Sequence, residues 1–192
     1  MDKLFQKINK CRISKDKKLK LVCDFGKIKL TGIFPSKPNS LIPETPLQVM
    51  YSEKSKLLQL NHNYNFNNLF GSNYGYRSGL NNSMINHLKQ KSEKLKKKIK
   101  LENGDKILDI GSNDGTFLNF FSKNIIREGC DPTSKKFKKF YNKGIKIYSK
   151  IFDKKIKEIF KSKYKLISSI AMFYDLKNPI EFCKNVEKIL DE

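Results

Sequence analysis

The residues best suited to chemistry form one run, Leu108-Asp109-Ile110-Gly111-Ser112-Asn113-Asp114-Gly115, answered at the end of the next apolar segment by Asp131. A glycine-rich turn between a strand and a helix lets the backbone approach a ligand closely. It also aims the amides of a helix start at the ligand's polar end. An acidic residue closing the next strand can accept both hydroxyls of a ribose. Turn and acid together describe a site for a nucleoside cofactor; the plainer alternative is a simple turn with Asp131 capping a helix. The kind of cofactor follows from the substitutions in the turn. A dinucleotide fingerprint wants glycine at positions 111, 113 and 116 of this register, to admit a pyrophosphate. The chain has Gly111, Asn113 and Thr116 there, and Asp114 would repel phosphates. A cationic, phosphate-free nucleoside such as S-adenosyl-L-methionine suits this acidic loop better. The expected cofactor-binding residues are therefore Asp109, Gly111, Ser112, Asn113, Asp114, Gly115 and Asp131.

The elements that must hold these residues alternate strand and helix from residue 105 to 192, which predicts an α/β domain. Lys106–Ile110 reads as a buried strand, and the helix after the loop carries Phe117, Leu118, Phe120 and Phe121. Ile125–Cys130 is a second strand, closed by Asp131-Pro132. Thr133 or Ser134 then caps a helix holding Phe137, Phe140 and Tyr141. A third strand is expected at Ile145–Tyr148, a third helix over 153–162 and a fourth strand at Tyr164–Ile170. Asn178-Pro179-Ile180-Glu181 opens a last helix, with an Asn cap, Pro first and Glu third. Upstream, residues 67–104 read as an Asn-, Gly- and Tyr-rich loop and a helix capped by Asn82 or Ser83, with Met84, Ile85, Leu88, Leu95 and Ile99 at helical spacing. Residues 1–66 are broken by Pro35, Pro38, Pro43 and Pro46. They predict a small β-rich domain with short strands around Leu21-Val22, Ile28/Leu30, Ile33-Phe34 and Leu57-Leu58. An open sheet of this kind normally carries more strands, so residues 105–192 read as the N-terminal part of a domain.

Composition narrows the partners. The formal charge is +21, which invites a nucleic-acid reading, yet only three of the 40 basic residues are arginine (Arg12, Arg77, Arg127). Readers of bases and phosphates favour arginine for its bidentate fork. The chain is instead rich in Lys, Asn and Ile, the residues of A/T-rich codons, so its charge needs no polyanionic partner. A base-amine methyltransferase would follow its fourth strand with an Asn/Asp-Pro-Pro-aromatic turn, and Ala171-Met-Phe-Tyr-Asp175 has no proline. No specific nucleic acid and no membrane partner are expected. No apolar stretch is long enough to span a membrane, the N-terminus has no signal-peptide core, and Cys11, Cys23, Cys130 and Cys183 show no pairwise spacing. A cytoplasmic setting is the expectation.

The same residues resemble a known family, the nucleotide-sugar C-methyltransferases of the class I adenosylmethionine-dependent group. The resemblance spans essentially the whole chain. It rests on Tyr74-Gly-Tyr-Arg-Ser-Gly-Leu80 with Ser83-Met84 and His87-Leu88, on Asp109–Thr116, on Gly129-Cys-Asp-Pro-Thr133, and on Met172-Phe-Tyr-Asp-Leu176. It implies a small zinc-binding-like domain followed by a Rossmann-like methyltransferase domain, incomplete here, that moves a methyl group onto a carbon of a deoxysugar carried by a nucleotide. Tyr76 and Tyr174 match positions that face the transfer centre and are the expected catalytic residues, with Asp175 a weaker candidate for the site. The family's two Cys-x-x-Cys knuckles match Cys11-Arg-Ile-Ser14 and Ser52-Glu-Lys-Ser55, so zinc is expected to be lost and no metal ligand is assigned. The family's base segment would follow the fifth strand, beyond residue 192. The resemblance thus implies the N-terminal portion of such an enzyme, either truncated or completed by a complementing chain; the alternative is a non-catalytic remnant or adenosylmethionine-binding module. His87 is expected to be a partly buried structural residue and His62 a loop residue.

Overall fold

The computed structural model describes residues 4–30, 33–65, 69–70, 74–153, 155, 159–161 and 163–191. The chain divides into two compact units, Met1–Gly75 with Lys177–Ile180 and Tyr76–Leu176 with Glu181–Glu192. The loop and helix read as a connector therefore belong, from Tyr76 onward, with the α/β unit.

The first unit is antiparallel. β1 (Phe5–Lys7) pairs with β5 (His62–Tyr64), while β2 (Leu19–Lys29), β3 (Glu44–Ser52) and β4 (Leu57–Leu60) form a sheet in that order. The β2–β3 register shifts between Leu21 and Cys23 and again between Asp24 and Lys27, where Gly26 adopts φ 73°. Such bulges bend an edge strand and blunt it as a template for further pairing. Strand β3 runs through Pro46, a residue that argues against a central strand. Pro46 lies opposite Lys27 of β2, but β4 covers only Val49–Ser52, so Pro46 needs no amide toward a second neighbour. Ile33-Phe34, expected in a strand, is in none.

The second unit is built on four parallel strands in the order β8-β7-β6-β9: β6 (Lys106–Ile110), β7 (Ile126–Cys130), β8 (Lys146–Tyr148) and β9 (Leu166–Ser168). Asp109 is in register with Gly129 of β7 and with Ser168 of β9. Apolar residues cover both faces, as a parallel sheet requires. On one face Leu108, Ile110 and Cys130 pack with Phe160, Tyr164, Phe182 and Ile189, the last two from α3 (Pro179–Ile189). On the other, Ile107 and Leu166 pack with Phe117, Leu118, Phe121, Ile125 and with Leu88 from α1 (Asn82–Ile99). The cap of α1 is Asn81, one residue before the expected pair: its extended backbone lets its side chain accept from the Ser83 amide.

The helices expected after β6 and β7 are much shorter than their apolar spacing predicts. The first is a single 3₁₀ turn, Leu118–Phe120, and the second is α2 (Ser134–Phe137) continued by the 3₁₀ turn Lys138–Phe140. Cross-links explain the arrest. Asn119 Nδ2 donates to the Phe140 carbonyl and its Oδ1 accepts from the Asn142 amide, tying the two connections together. The side chains expected to cap α2 do not cap it; Asp131 accepts the Thr133 amide instead. Most of the third expected helix lies outside the described residues.

Candidate functional site

The turn leaving β6 is left-handed at three residues, Gly111 (φ 78°), Asn113 (φ 51°) and Gly115 (φ 77°). The space that Gly115 leaves is already filled: a Cβ there would collide with the ring of Tyr141. That of Gly111 is taken by Met172, 2.9 Å away. The loop's amides are committed as well. Gly111 donates to the Cys130 carbonyl and Gly115 to that of Ser112, each at 2.8 Å. Asn113 donates to Asp131 Oδ2 at 2.9 Å and Thr116 to Asp114 Oδ1 at 3.2 Å. Two positions where a phosphate would be held are thus occupied by the chain's own carboxylates.

Residues 76–79 lie across this turn. Asn113 Nδ2 donates to the Tyr76 carbonyl (3.1 Å), the Ser78 amide donates to Asn113 Oδ1 (3.0 Å), and the Gly79 amide donates to Asp114 Oδ2 (2.9 Å). The Arg77 guanidinium stacks 3.5 Å above the centre of the Phe140 ring, with Nη1 at 4.0 Å from Asp114 Oδ2. Tyr76 and Tyr174 are both exposed. Burial, then the charges of Asp175 and Tyr76, push the Tyr174 phenol up, so the two expected catalytic tyrosines are near each other at this end of the sheet. Asp175 is exposed in the turn Phe173–Asp175.

Three carboxylates, Asp109, Asp114 and Asp131, are buried at the carboxyl ends of β6 and β7. Asp109 is held by one short bond, donated by Ser168 Oγ at 2.6 Å. Burial drives its carboxyl up to about 7, against that bond, and the charge of Asp131 adds to the rise. Asp131 Oδ1 accepts both the amide and the hydroxyl of Thr133 at 2.6 Å while Oδ2 takes Asn113. In this arrangement the side chain clasps its own loop, with both carboxylate oxygens accepting hydrogen bonds from it.

Tyr141 was read from sequence as helix packing, and the structure puts it in the turn. Its spacing with Phe137 and Phe140 carried no sign of this. Ser168 had a weak sign, being polar in an apolar strand destined to neighbour β6. The histidine expectations are overturned. His87 is exposed on α1, because the turn containing Leu88 points that neighbour inward. His62 is buried in β5, paired with Lys7 of β1 and edge-on to Phe5 at 5.1 Å.

The first unit has a polar centre of its own. Cys11 is fully buried, with Sγ at 3.1 Å from Ser55 Oγ and accepting from the amides of Ile13 and Ser14, while Ser14 and Ser52 hydroxyls lie 3.5 Å apart. Burial alone would raise this thiol, but hydrogen bonds from Ser14, Ser55 and Ser52 outweigh it and lower it to about 6. Among the described residues no group of three or more His, Cys, Asp or Glu could hold a metal ion, and no helix is long and apolar enough to cross a membrane. Neither a protein-family model nor a curated protein matches the sequence.

Proposed function

We propose that this chain binds S-adenosyl-L-methionine in a Rossmann-like domain and serves methyl transfer to a carbon of a nucleotide-linked deoxysugar. The observation that carries the cofactor is the acidic, self-satisfied turn. Its Asn113 and Thr116 amides already hold Asp131 and Asp114, so an anionic pyrophosphate would have to displace a carboxylate. A sulfonium cation adds the charge that three buried carboxylates lack. The strand order β8-β7-β6-β9 supports the fold reading. It places the order's reversal beside β6, where open α/β sheets take their ligands. Gly111–Gly115 would receive the amino-acid end of the cofactor and Asp131 one ribose hydroxyl.

The sugar substrate rests on the resemblance of Tyr74–Leu80 and Met172–Leu176 to the C-methyltransferases. C-methylation needs a proton removed beside a ketone and the resulting enolate held in line with the methyl group. Tyr76 and Tyr174, exposed and near one another, supply hydroxyls that can orient such a sugar.

Isothermal titration calorimetry tests the cofactor. Adenosylmethionine and its cationic amine analogue sinefungin are expected to bind at micromolar levels, with NADH binding far more weakly. Tight binding of NADH with none of adenosylmethionine overturns the reading.

A further inference from the structure

We infer that Tyr141 is a positioning residue that sets the shape of the turn receiving the amino-acid end of the methyl donor, an inference that rests on the cofactor reading above. Its ring lies so close to Gly115 that only glycine fits beneath it. Its hydroxyl donates to the Asn113 carbonyl at 2.9 Å and lies 2.8 Å from Ser112 Oγ. Burial, and the neighbouring Asp131, Asp109 and Asp114, keep the phenol protonated despite the Ser112 bond. A phenol has one proton to give. Because that proton goes to Asn113, the Ser112 hydroxyl must donate to Tyr141, which fixes the direction of both bonds.

One aromatic side chain from the segment after α2 thus holds residues 112, 113 and 115 of the turn at once. Those peptides include Asn113, whose left-handed backbone turns its amide onto Asp131. Without the hydroxyl, residues 112 and 113 lose both hydrogen bonds to Tyr141 while the ring keeps its packing. The ribose side is linked to Tyr141 through the Asn113 amide on Asp131, while Thr133 holds the other Asp131 oxygen by two bonds of its own. The effect should therefore fall mainly on one end of the nucleoside.

The test compares adenosylmethionine with methylthioadenosine, which keeps the nucleoside and lacks the amino-acid end, by calorimetry on the full chain. Tyr141→Phe is expected to weaken adenosylmethionine about tenfold, the scale of losing two hydrogen bonds that hold a binding loop. Methylthioadenosine should change by less than about twofold. Ser112→Ala should shift affinities in the same direction, and the double variant should lose less than the sum of the two. Equal losses for both ligands, or no loss for either, would mean a structural role only and overturn the inference. Should Tyr141→Phe fail to fold, Ser112→Ala, which removes a single hydroxyl, reads the same contact. Wild-type protein that binds neither nucleoside would overturn the cofactor reading and this inference with it. Binding without the selective loss overturns this inference alone.

Discussion

Each unit buries a cluster of polar side chains at a turn, and the two clusters solve the problem of burial in opposite ways. Around Cys11, four small side chains share hydrogen bonds, and those bonds outweigh burial, so the thiol gives up its proton more readily than usual. Around Asp109 the polar groups are carboxylates. Burial outweighs the single bond from Ser168, so the proton is held more tightly than usual. The direction follows from the donors: three serines face the Cys11 thiol, while one hydroxyl faces the Asp109 carboxyl against full burial and the charge of Asp131.

The comparison breaks first, and hardest, at Asp131. Asp131→Ala strips the partner from two buried amides and a hydroxyl, and should cost about 3 kcal/mol in the α/β unit. Urea unfolding followed at β6 and β7 amides measures it, with β2 and β3 amides left where they were. Gly115→Ala ranks next. It demands a left-handed alanine and drives a methyl group into Tyr141, so a loss of about 2 kcal/mol is expected on the same readout.

The pH dependence of the two units then sharpens the contrast, because the signs differ. Asp109 has a folded value near 7, above its ordinary 3.8. The native state therefore binds the extra proton, and its contribution is full below about 3.8 and lost as pH rises through about 7. Cys11 has a folded value near 6, below its ordinary 9.0. Its contribution is present above about 9 and lost as pH falls through about 6. Urea midpoints across this range should fall with pH for the Asn113 amide and rise for the Ser14 amide. Asp109→Asn flattens the first slope and Cys11→Ala the second; slopes of equal sign would refute the contrast. The smallest effect belongs to the exposed pair Lys20–Glu53, 2.6 Å apart. Glu53→Gln should leave the melting temperature of either unit unchanged, as exposed ion pairs do.

Much of the α/β unit was legible in the sequence because its strands are short apolar runs closed by turn residues. Ile107-Leu108 and the glycines after them could be placed without knowing any partner. The last helix was legible from Pro179 and Glu181 for the same local reason. What escaped depended on distant contacts. Phe117, Leu118, Phe120 and Phe121 have helical spacing, but Asn119 bridges to Phe140 and Asn142 and the helix stops at one turn. Pro43 and Pro46 hid β3, because only the extent of β4 decides whether Pro46 is tolerated. His62 looked like a loop residue because its pairing partner, Lys7, lies at the far end of the unit's sequence. Within the candidate site the turn was readable as a motif, while Tyr141 and Ser168 entered through folding alone.

The clasp formed by Asp131 has a kinetic consequence. Asn113 belongs to a loop, and loop amides ordinarily trade their hydrogens with water through small local openings. Here that amide is bonded to the residue that ends β7, and the same carboxylate is bonded to the start of α2. Releasing the hydrogen at Asn113 means releasing the strand end too. Its exchange should therefore track the opening of the whole parallel sheet, so that this turn behaves on the timescale of hours as part of the sheet's own cooperative unit.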